Sequence, residues 1–327
     1  MISEPVAIVI PTIRNLDFLK DWKRQFADCI GIIIEDHPKK EIDSPKKYFT
    51  KLFHYCWKDI DSDFGKKSWI FPRKNAGIRS YGFFKAYQLK IQNIITLDDD
   101  CFPVKGQSFV NDHLENLSLK APKKWFPTYP HRQFHYTRGV PYCIRDISEV
   151  VISHGLWSNI LDFDAPTQLV NYKLSIPLSF NFSEFIPKGY YFPMCSMNLA
   201  FKTKISPLMY FPLMGYNDKN LHWGYDRFDD IWAGVFAKKI IDHLDLAVVN
   251  GSPFVEHKKA SNVFTNLLKE AKGIQTNEIL YQNVDKVTLT SKTIVGSYKE
   301  LIAKLELPKE DYFIKLKKAI EIWLNLY

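Results

Sequence analysis

Over the first hundred residues, apolar and polar positions fall into a repeating order of strand, helix, strand, helix, strand. Residues 6–10 are an unbroken apolar run closed by Pro11, the pattern of a strand buried on both faces. Residues 15–26 then place Leu16, Phe18, Leu19, Trp22 and Phe26 at helical spacing. A second apolar run at 30–34 ends on Glu35 and Asp36, and 76–89 again reads as a helix. The third run, 94–97, opens straight into Asp98, Asp99 and Asp100. Strands separated by helices predict a parallel sheet with helices covering its faces. Ligands of such sheets bind past the carboxyl ends of the strands, where Asp36 and the acidic triplet fall.

The middle of the chain, 101–225, is rich in proline, aromatic and polar residues and weak in helical periodicity. Irregular loops and short strands are expected there, the usual location of binding residues. Residues 229–243 read as a helix opened by Asp229 and Asp230. From about 264 the pattern turns basic and amphipathic, with helix-like stretches at 266–271, 299–305 and 311–326. The expected division is a main domain over 1–263 and a C-terminal helical extension over 264–327. The last stretch carries Lys315, Lys317 and Lys318 beside Ile314, Ile320 and Trp323, and is expected to pack on its own domain or on a partner subunit.

Composition narrows the class. The 327 residues carry a formal charge of +8, spread over pairs such as Lys39-Lys40 and Lys258-Lys259 rather than in one basic block. That distribution suits a phosphate-bearing small ligand and does not call for nucleic acid. The five cysteines form no C-x-x-C pair, so a disulfide scaffold and a structural zinc are not expected. No apolar run reaches the ~18 residues of a membrane span, and the start of the chain does not read as a signal peptide. A cytoplasmic protein without a transmembrane segment is expected. No G-x-G-x-x-G is present, and Gly77 and Gly82 have P-loop spacing but are followed by Phe83 where lysine is required. Dinucleotide enzymes, P-loop ATPases, α/β-hydrolases and zincins are disfavoured, and neither flavin nor NAD is expected.

Several groups carry candidate chemistry. If the acidic triplet continues an extended strand, Asp98 and Asp100 point one way and Asp99 the other, and the paired carboxylates suit a hard divalent cation. Such a cation can bridge to a diphosphate leaving group. Lys74 and Arg79 flank a turn before a helix, where backbone N–H groups favour phosphate. Arg138 and Arg145 offer fixed positive charge in a Gly/Pro-bearing segment. Asp229 and Asp230 serve either as helix caps or as acid and base. His154 either binds a phosphate or sugar hydroxyl or is a satisfied core histidine. Asp162 and Asp164 either bind sugar hydroxyls or order the Ala165-Pro166 turn. His131 and His135 are four apart, but without helical character or a nearby acid they do not read as metal ligands.

The stretches IPTIRNLDFL, TLDDDC, RGVPYCIR, SHGLW, DFDAPTQL, FPMCSMNLAF, MYFPLMG, RFDDIWAG and HKKASN occur in that order. Together they resemble the reversibly glycosylated polypeptide family, which includes the plant UDP-arabinopyranose mutases, over about residues 5 to 263. The resemblance implies a GT-A-like, Rossmann-like fold: a mixed, mostly parallel sheet with helices on both faces, in the α/β class. It also implies a UDP-sugar ligand with Mn²⁺ or Mg²⁺, and reversible glycosylation of an arginine. By position, the family's acidic triplet falls on Asp98, Asp99 and Asp100, its glycosylated arginine on Arg138, and a second important arginine on Arg145. Asp36 would contact the nucleoside, and Arg14, in the first motif, joins the substrate-binding set with Lys74, Arg79, Asp98, Asp99 and His154. His257 would complete a metal site with Asp98 and Asp100, and Asp229 and Asp230 would join Arg138 and Arg145 as catalytic residues.

The expected activity is thus a metal-dependent pyranose–furanose interconversion of a UDP-sugar. Two other readings stay open: a glycosyltransferase acting on an external acceptor, and a non-catalytic nucleotide-sugar-binding subunit. A homo-oligomer is compatible with all three.

Overall fold

The computed structural model describes residues 5–125, 138–160, 162–171, 175–176, 182–258 and 262–327. His131 and His135 lie outside the described residues. The strands are β1 (Val6–Thr12), β2 (Ile30–Glu35), β3 (Lys51–Tyr55), β4 (Asn93–Leu97), β5 (Cys101–Pro103), β6 (Lys120–Pro122), β7 (Ile147–Ile160), β8 (Ser175–Ile176), β9 (Ser183–Phe185), β10 (Asn198–Lys202) and β11 (Ala247–His257). The helices are α1 (Leu19–Phe26), α2 (Trp57–Phe64), α3 (Arg79–Gln88), α4 (Phe109–Ser118), α5 (Ala165–Val170), α6 (Asp229–His243), α7 (Val263–Lys286), α8 (Ile294–Lys304) and α9 (Asp311–Leu324).

The main path of the sheet runs β3-β2-β1-β4-β10-β7-β11-β5. Its first four strands are parallel, β10 is antiparallel to both β4 and β7, and β7 and β11 are again parallel. The α/β class and the mixed, mostly parallel sheet therefore agree with the sequence. Alternating residues of β1 enter opposite cores: Ala7 and Val9 face one, Val6, Ile8 and Ile10 the other. A strand buried on both faces has no polar side, which is why the run is continuously apolar. Gly82 of α3 lies so close to the sheet that a Cβ would meet Val9 Cγ1 at 2.6 Å. Gly77 sits against Asn75 and Asp229. These two glycines serve close packing, not a phosphate loop.

Two elements differ from expectation in extent. The predicted helix over 15–26 becomes α1 only from Leu19. The one over 76–89 splits into a 3₁₀ turn, Ala76–Ile78, and α3. The middle segment departs further, because it contains α4 and the 14-residue β7 at the centre of the sheet. Polar residues there are buried in pairs. His113 bonds Ser153 and Asn198 at 2.8 Å each, and Asn116 donates to Ser153. Hydropathy alone does not reveal a strand whose polar groups are satisfied internally.

The C-terminal helices share the core of the sheet domain. Tyr298, Leu301, Phe313, Leu316, Ile320 and Trp323 belong to one buried cluster with Ile34, Phe83, Tyr210 and Trp232. The Trp323 indole N–H donates to the Pro207 carbonyl at 2.9 Å, and its ring packs against Phe71, Phe84 and Tyr210. The cluster runs unbroken across the expected boundary at 263/264. A Trp323→Ala variant is accordingly expected to lose about 3–5 kcal/mol of global stability. Urea denaturation followed by circular dichroism and by fluorescence should show one shared transition. A separate early transition, with the rest unchanged, would mark the helices as an independent unit.

Candidate active site

The site forms where β1, β2 and β4 end and antiparallel β10 begins. β4 stops at Leu97, and Asp98–Asp100 form a turn in which the Cys101 N–H returns to the Asp98 carbonyl at 3.3 Å. Because this is a turn, the strand alternation expected for the triplet does not hold. Asp99 and Asp100 share Arg14, whose Nη1 lies 2.8 Å from Asp99 Oδ1 and 3.5 Å from Asp100 Oδ2. Thr12 Oγ1 donates to the other Asp99 oxygen at 2.8 Å. Asp98 turns instead to Arg79, which donates to it through Nη2.

Arg79 is the first residue of α3 and is fully buried. Its Nη1 donates to Thr96 Oγ1 at 2.9 Å and to the Ser196 carbonyl at 2.7 Å, and its Nε to the Ala76 carbonyl at 3.0 Å. A buried guanidinium needs its charge paired and its donors filled, and this one has both. Asp229 and Asp230, at the N-terminus of α6, also lie within its field. Asp230 accepts from both the N–H and the Oγ of Ser196 at 2.9 Å. Burial, with its neighbour's charge adding to it, pushes the Asp229 carboxyl up to about 8, while Arg79 opposes the rise. Burial also raises Asp230, against the Ser196 N–H, with Asp162 adding to the rise. Two adjacent acids held in different environments are the arrangement that separates a proton donor from an acceptor.

His257 ends β11, with its Nε2 3.9 Å from Asp100 Oδ1. Its Nδ1 is 3.1 Å from the Ile160 carbonyl, which can only accept. A neutral ring therefore carries its proton on Nδ1 and turns Nε2 toward Asp100, the orientation of a metal-ligating histidine. Burial raises both Asp99 and Asp100, and at Asp100 the charge of Asp98 adds to it. Among the described residues, no three His, Cys, Asp or Glu side chains stand close enough together to hold an ion. Asp100 and His257 thus fit a cation that takes its remaining ligands from a substrate. Asp98 gives its Oδ1 to Arg79, and its charge is felt at Asp100.

Beside this cluster an open cavity of about 550 Å³ lies past β1 and β2, lined in part by Arg14, Leu16, Glu35, Asp36, His37 and Tyr48. Asp36 is buried, and its two oxygens accept the Trp57 indole N–H at 2.6 Å and the Asn75 N–H at 2.9 Å. Glu35 is buried as well, and accepts from His54 and from the Glu41 and Ile42 backbone. Lys74 is exposed, with Nζ on Asn220 at 2.8 Å and over the Tyr216 ring. His154 is in the core: its Nδ1 is 2.8 Å from Asn250 Oδ1 and its Nε2 accepts the Cys195 N–H at 3.0 Å. With both nitrogens engaged and burial pushing its pKa down to about 4, it stays neutral and shapes the backbone beside Ser196.

Arg138 is exposed at a turn and makes no hydrogen bond or ion pair among the described residues. Arg145 lies over the Tyr142 ring at 3.5 Å and donates to the Val140 carbonyl at 3.3 Å. The structure thus gathers Arg14, Arg79, Asp98, Asp99, Asp100, Asp229, Asp230 and His257, sets Asp36 in the adjoining cavity, and leaves Arg138 outside this hydrogen-bonded network. No local pattern marks Thr12, Thr96 or Ser196. They are small polar residues within apolar surroundings, and only their long-range partners identify them. Glu35 had a usable sign, its place beside Asp36 at a strand end.

The chain matches the family described as Reversibly glycosylated polypeptide over residues 1–327. The match extends through α7–α9, past the limit near 263 that the motifs suggest. Probable UDP-arabinopyranose mutase 1 of Zea mays is 38% identical over 346 residues, covering 100% of this chain and 91% of the relative. UDP-arabinopyranose mutase 1 of Arabidopsis thaliana is 38% identical over 342 residues, covering 100% of this chain and 93% of the relative. A crystal structure of glucosyl-3-phosphoglycerate synthase from Mycobacterium tuberculosis with Mn²⁺, UDP-glucose and phosphoglyceric acid overlays with a TM-score of 0.44 at 8% identity, covering 86% of this chain and 80% of that one.

The raised Asp229 makes stability depend on pH with a definite sign. Its ordinary value is 3.8 and its folded value about 8, so the folded state keeps a proton that the unfolded chain releases. The associated stabilisation is full below the unfolded value and is lost as pH rises through the folded one. Asp229→Asn, which mimics the protonated acid, is expected to flatten the metal-free stability curve between pH ~4 and ~8. Urea denaturation across that range checks it, and parallel curves for variant and wild type would refute it.

Proposed function

The chain belongs to the reversibly glycosylated polypeptide family, and from that premise we propose that it is a UDP-sugar mutase interconverting the pyranose and furanose forms of UDP-arabinose. The full-length relation to proteins named UDP-arabinopyranose mutases carries this reading. The acid cluster at the ends of β1, β4 and β10 supports it. The nucleoside occupies the cavity beside Asp36, and the diphosphate lies toward Asp100 and His257. Among the described residues no helix is long and apolar enough to cross a membrane. The five cysteines are free, four of them buried, in keeping with a cytoplasmic location.

Asp100 Oδ1 and His257 Nε2 are the atoms that would hold Mn²⁺ or Mg²⁺. When bound, the ion supplies positive charge to the diphosphate oxygens and stabilises UDP as a leaving group. Arg14, held by Asp99 and Asp100 and lining the same cavity, adds a fixed positive charge for that anion.

Changing the ring form exchanges the oxygen bonded to the anomeric carbon. The ring oxygen leaves and gains a proton, a sugar hydroxyl attacks and loses one, and no electrons are exchanged. Asp229, protonated near neutral pH, is the donor, and Asp230, oriented by Ser196, is the acceptor. Arg138 carries the sugar covalently in the meantime: its guanidinium nitrogen bonds to the anomeric carbon, the bond to UDP breaks, and an N–H proton passes to a carboxylate; after the ring has changed form the diphosphate oxygen bonds the anomeric carbon again, the bond to Arg138 breaks and the proton returns to its nitrogen. Support for that step comes from the family motif and from the exposure of Arg138.

The test incubates the protein with UDP-arabinopyranose and Mn²⁺ and resolves products by chromatography. UDP-arabinofuranose is the expected product, with intact mass spectrometry showing one pentose added to wild type and none to Arg138→Ala. Asp229→Asn should lower turnover by about 10²-fold, and His257→Ala should weaken Mn²⁺ binding by about tenfold or more. UDP release only in the presence of an added acceptor would replace the mutase with a transferase. Nucleotide-sugar binding without turnover would leave a binding subunit.

A further inference from the structure

Helix α7 reaches the site through Glu270, a buried carboxylate that the ring-exchange chemistry does not use. Glu270 Oε1 accepts from Arg227 Nε at 2.6 Å, and Oε2 accepts from the Ala165 N–H at 2.7 Å. One side chain thereby ties the 162–165 segment to the residues just before α6. Arg227 has a φ of +62°, a left-handed conformation unusual outside glycine and a common mark of functional sites. Its Nη2 lies 3.9 Å from Asp162 Oδ1, beyond hydrogen-bond range, and neither Nη atom donates a hydrogen bond among the described residues. Arg227 and Asp162 are each about one-third exposed, 33% and 34%. Asp230 lies within the field of both. Asp162 Oδ2 meets Cys195 Sγ at 3.4 Å, which fixes the carboxylate beside Ser196 and hence beside Asp230.

The result is an outward guanidinium edge set between two carboxylates. A phosphate would be repelled by the flanking acids. Hydroxyl groups would not: each can donate to a carboxylate and accept from the guanidinium. We infer that Arg227 and Asp162 form the binding wall for the hydroxyls of the substrate's sugar, with Glu270 as the positioning residue that aims Arg227 at it. The inference rests on the UDP-sugar reading above, whose sugar must lie near Asp229 and Asp230.

Calorimetric titration with UDP and, separately, UDP-arabinopyranose, both with Mn²⁺, separates the two ideas. Arg227→Gln and Asp162→Asn should bind UDP within about twofold of wild type and lose about tenfold or more of their affinity for the nucleotide sugar. Glu270→Gln keeps an acceptor for the Ala165 N–H. It should show the same sugar-specific loss, smaller in size, with UDP affinity unchanged, and Arg227→Lys should recover part of the affinity lost in Arg227→Gln. If Arg227→Gln fails to fold, Asp162→Asn, which breaks no buried ion pair, decides alone. Wild-type affinity for both ligands, or equal losses for both, overturns the sugar wall and leaves the UDP-sugar reading standing. Failure of the wild type to bind either ligand overturns that reading as well.

Discussion

A fully buried guanidinium organises this molecule. Arg79 opens α3 inside the protein, where an unpaired charge is untenable, so each of its neighbours is constrained to supply an oxygen. Thr96 comes from the end of β4, Asp98 from the turn after it, the Ser196 carbonyl from the approach to β10, and the Ala76 carbonyl from the preceding turn. Satisfying one side chain therefore fixes the relative positions of several chain segments. Ser196, held this way, offers its N–H and hydroxyl to Asp230, which extends the arrangement to the start of α6. The same gathering leaves Asp99 and Asp100 turned toward Arg14 and His257.

Carboxylates outnumber cations in this cluster. Asp98, Asp99, Asp100, Asp162, Asp229 and Asp230 face Arg14, Arg79 and Arg227. A bare diphosphate would meet net repulsion there, although the chain as a whole carries +8 and draws anions from a distance. Two responses to this surplus are open to the protein. One is a divalent cation between Asp100 and His257. The other is retention of a proton, which burial enforces on Asp229. Both serve chemistry in which a charged leaving group departs and a proton must be delivered.

The parts of the fold that could be read in advance were those whose environment is uniform. β1, β2 and β4 are apolar on both faces because both faces are covered, and α6 shows its bounds through acids at its start. β7 was hidden because Ser153 and His154 are buried with partners contributed by α4 and β11. The acidic triplet was legible as a site and not as a geometry, since whether it continues a strand or turns depends on Arg79 and Arg14, far away in sequence. α7–α9 read as an amphipathic extension, yet their apolar faces complete the same core as the sheet. Glu270 looked like any acid on a helix. Its role comes from the loop it meets, which no local pattern encodes.

The proposed activity turns on a cation that Asp100 and His257 would hold against the diphosphate of a nucleotide sugar. Crystals grown with UDP and Mn²⁺, measured at the manganese absorption edge, examine that most directly. One strong anomalous peak is expected within bonding distance of Asp100 Oδ1 and His257 Nε2, touching diphosphate oxygens, with the uridine in the cavity beside Asp36. UDP bound elsewhere, or bound there with the peak absent or away from these two side chains, would contradict it.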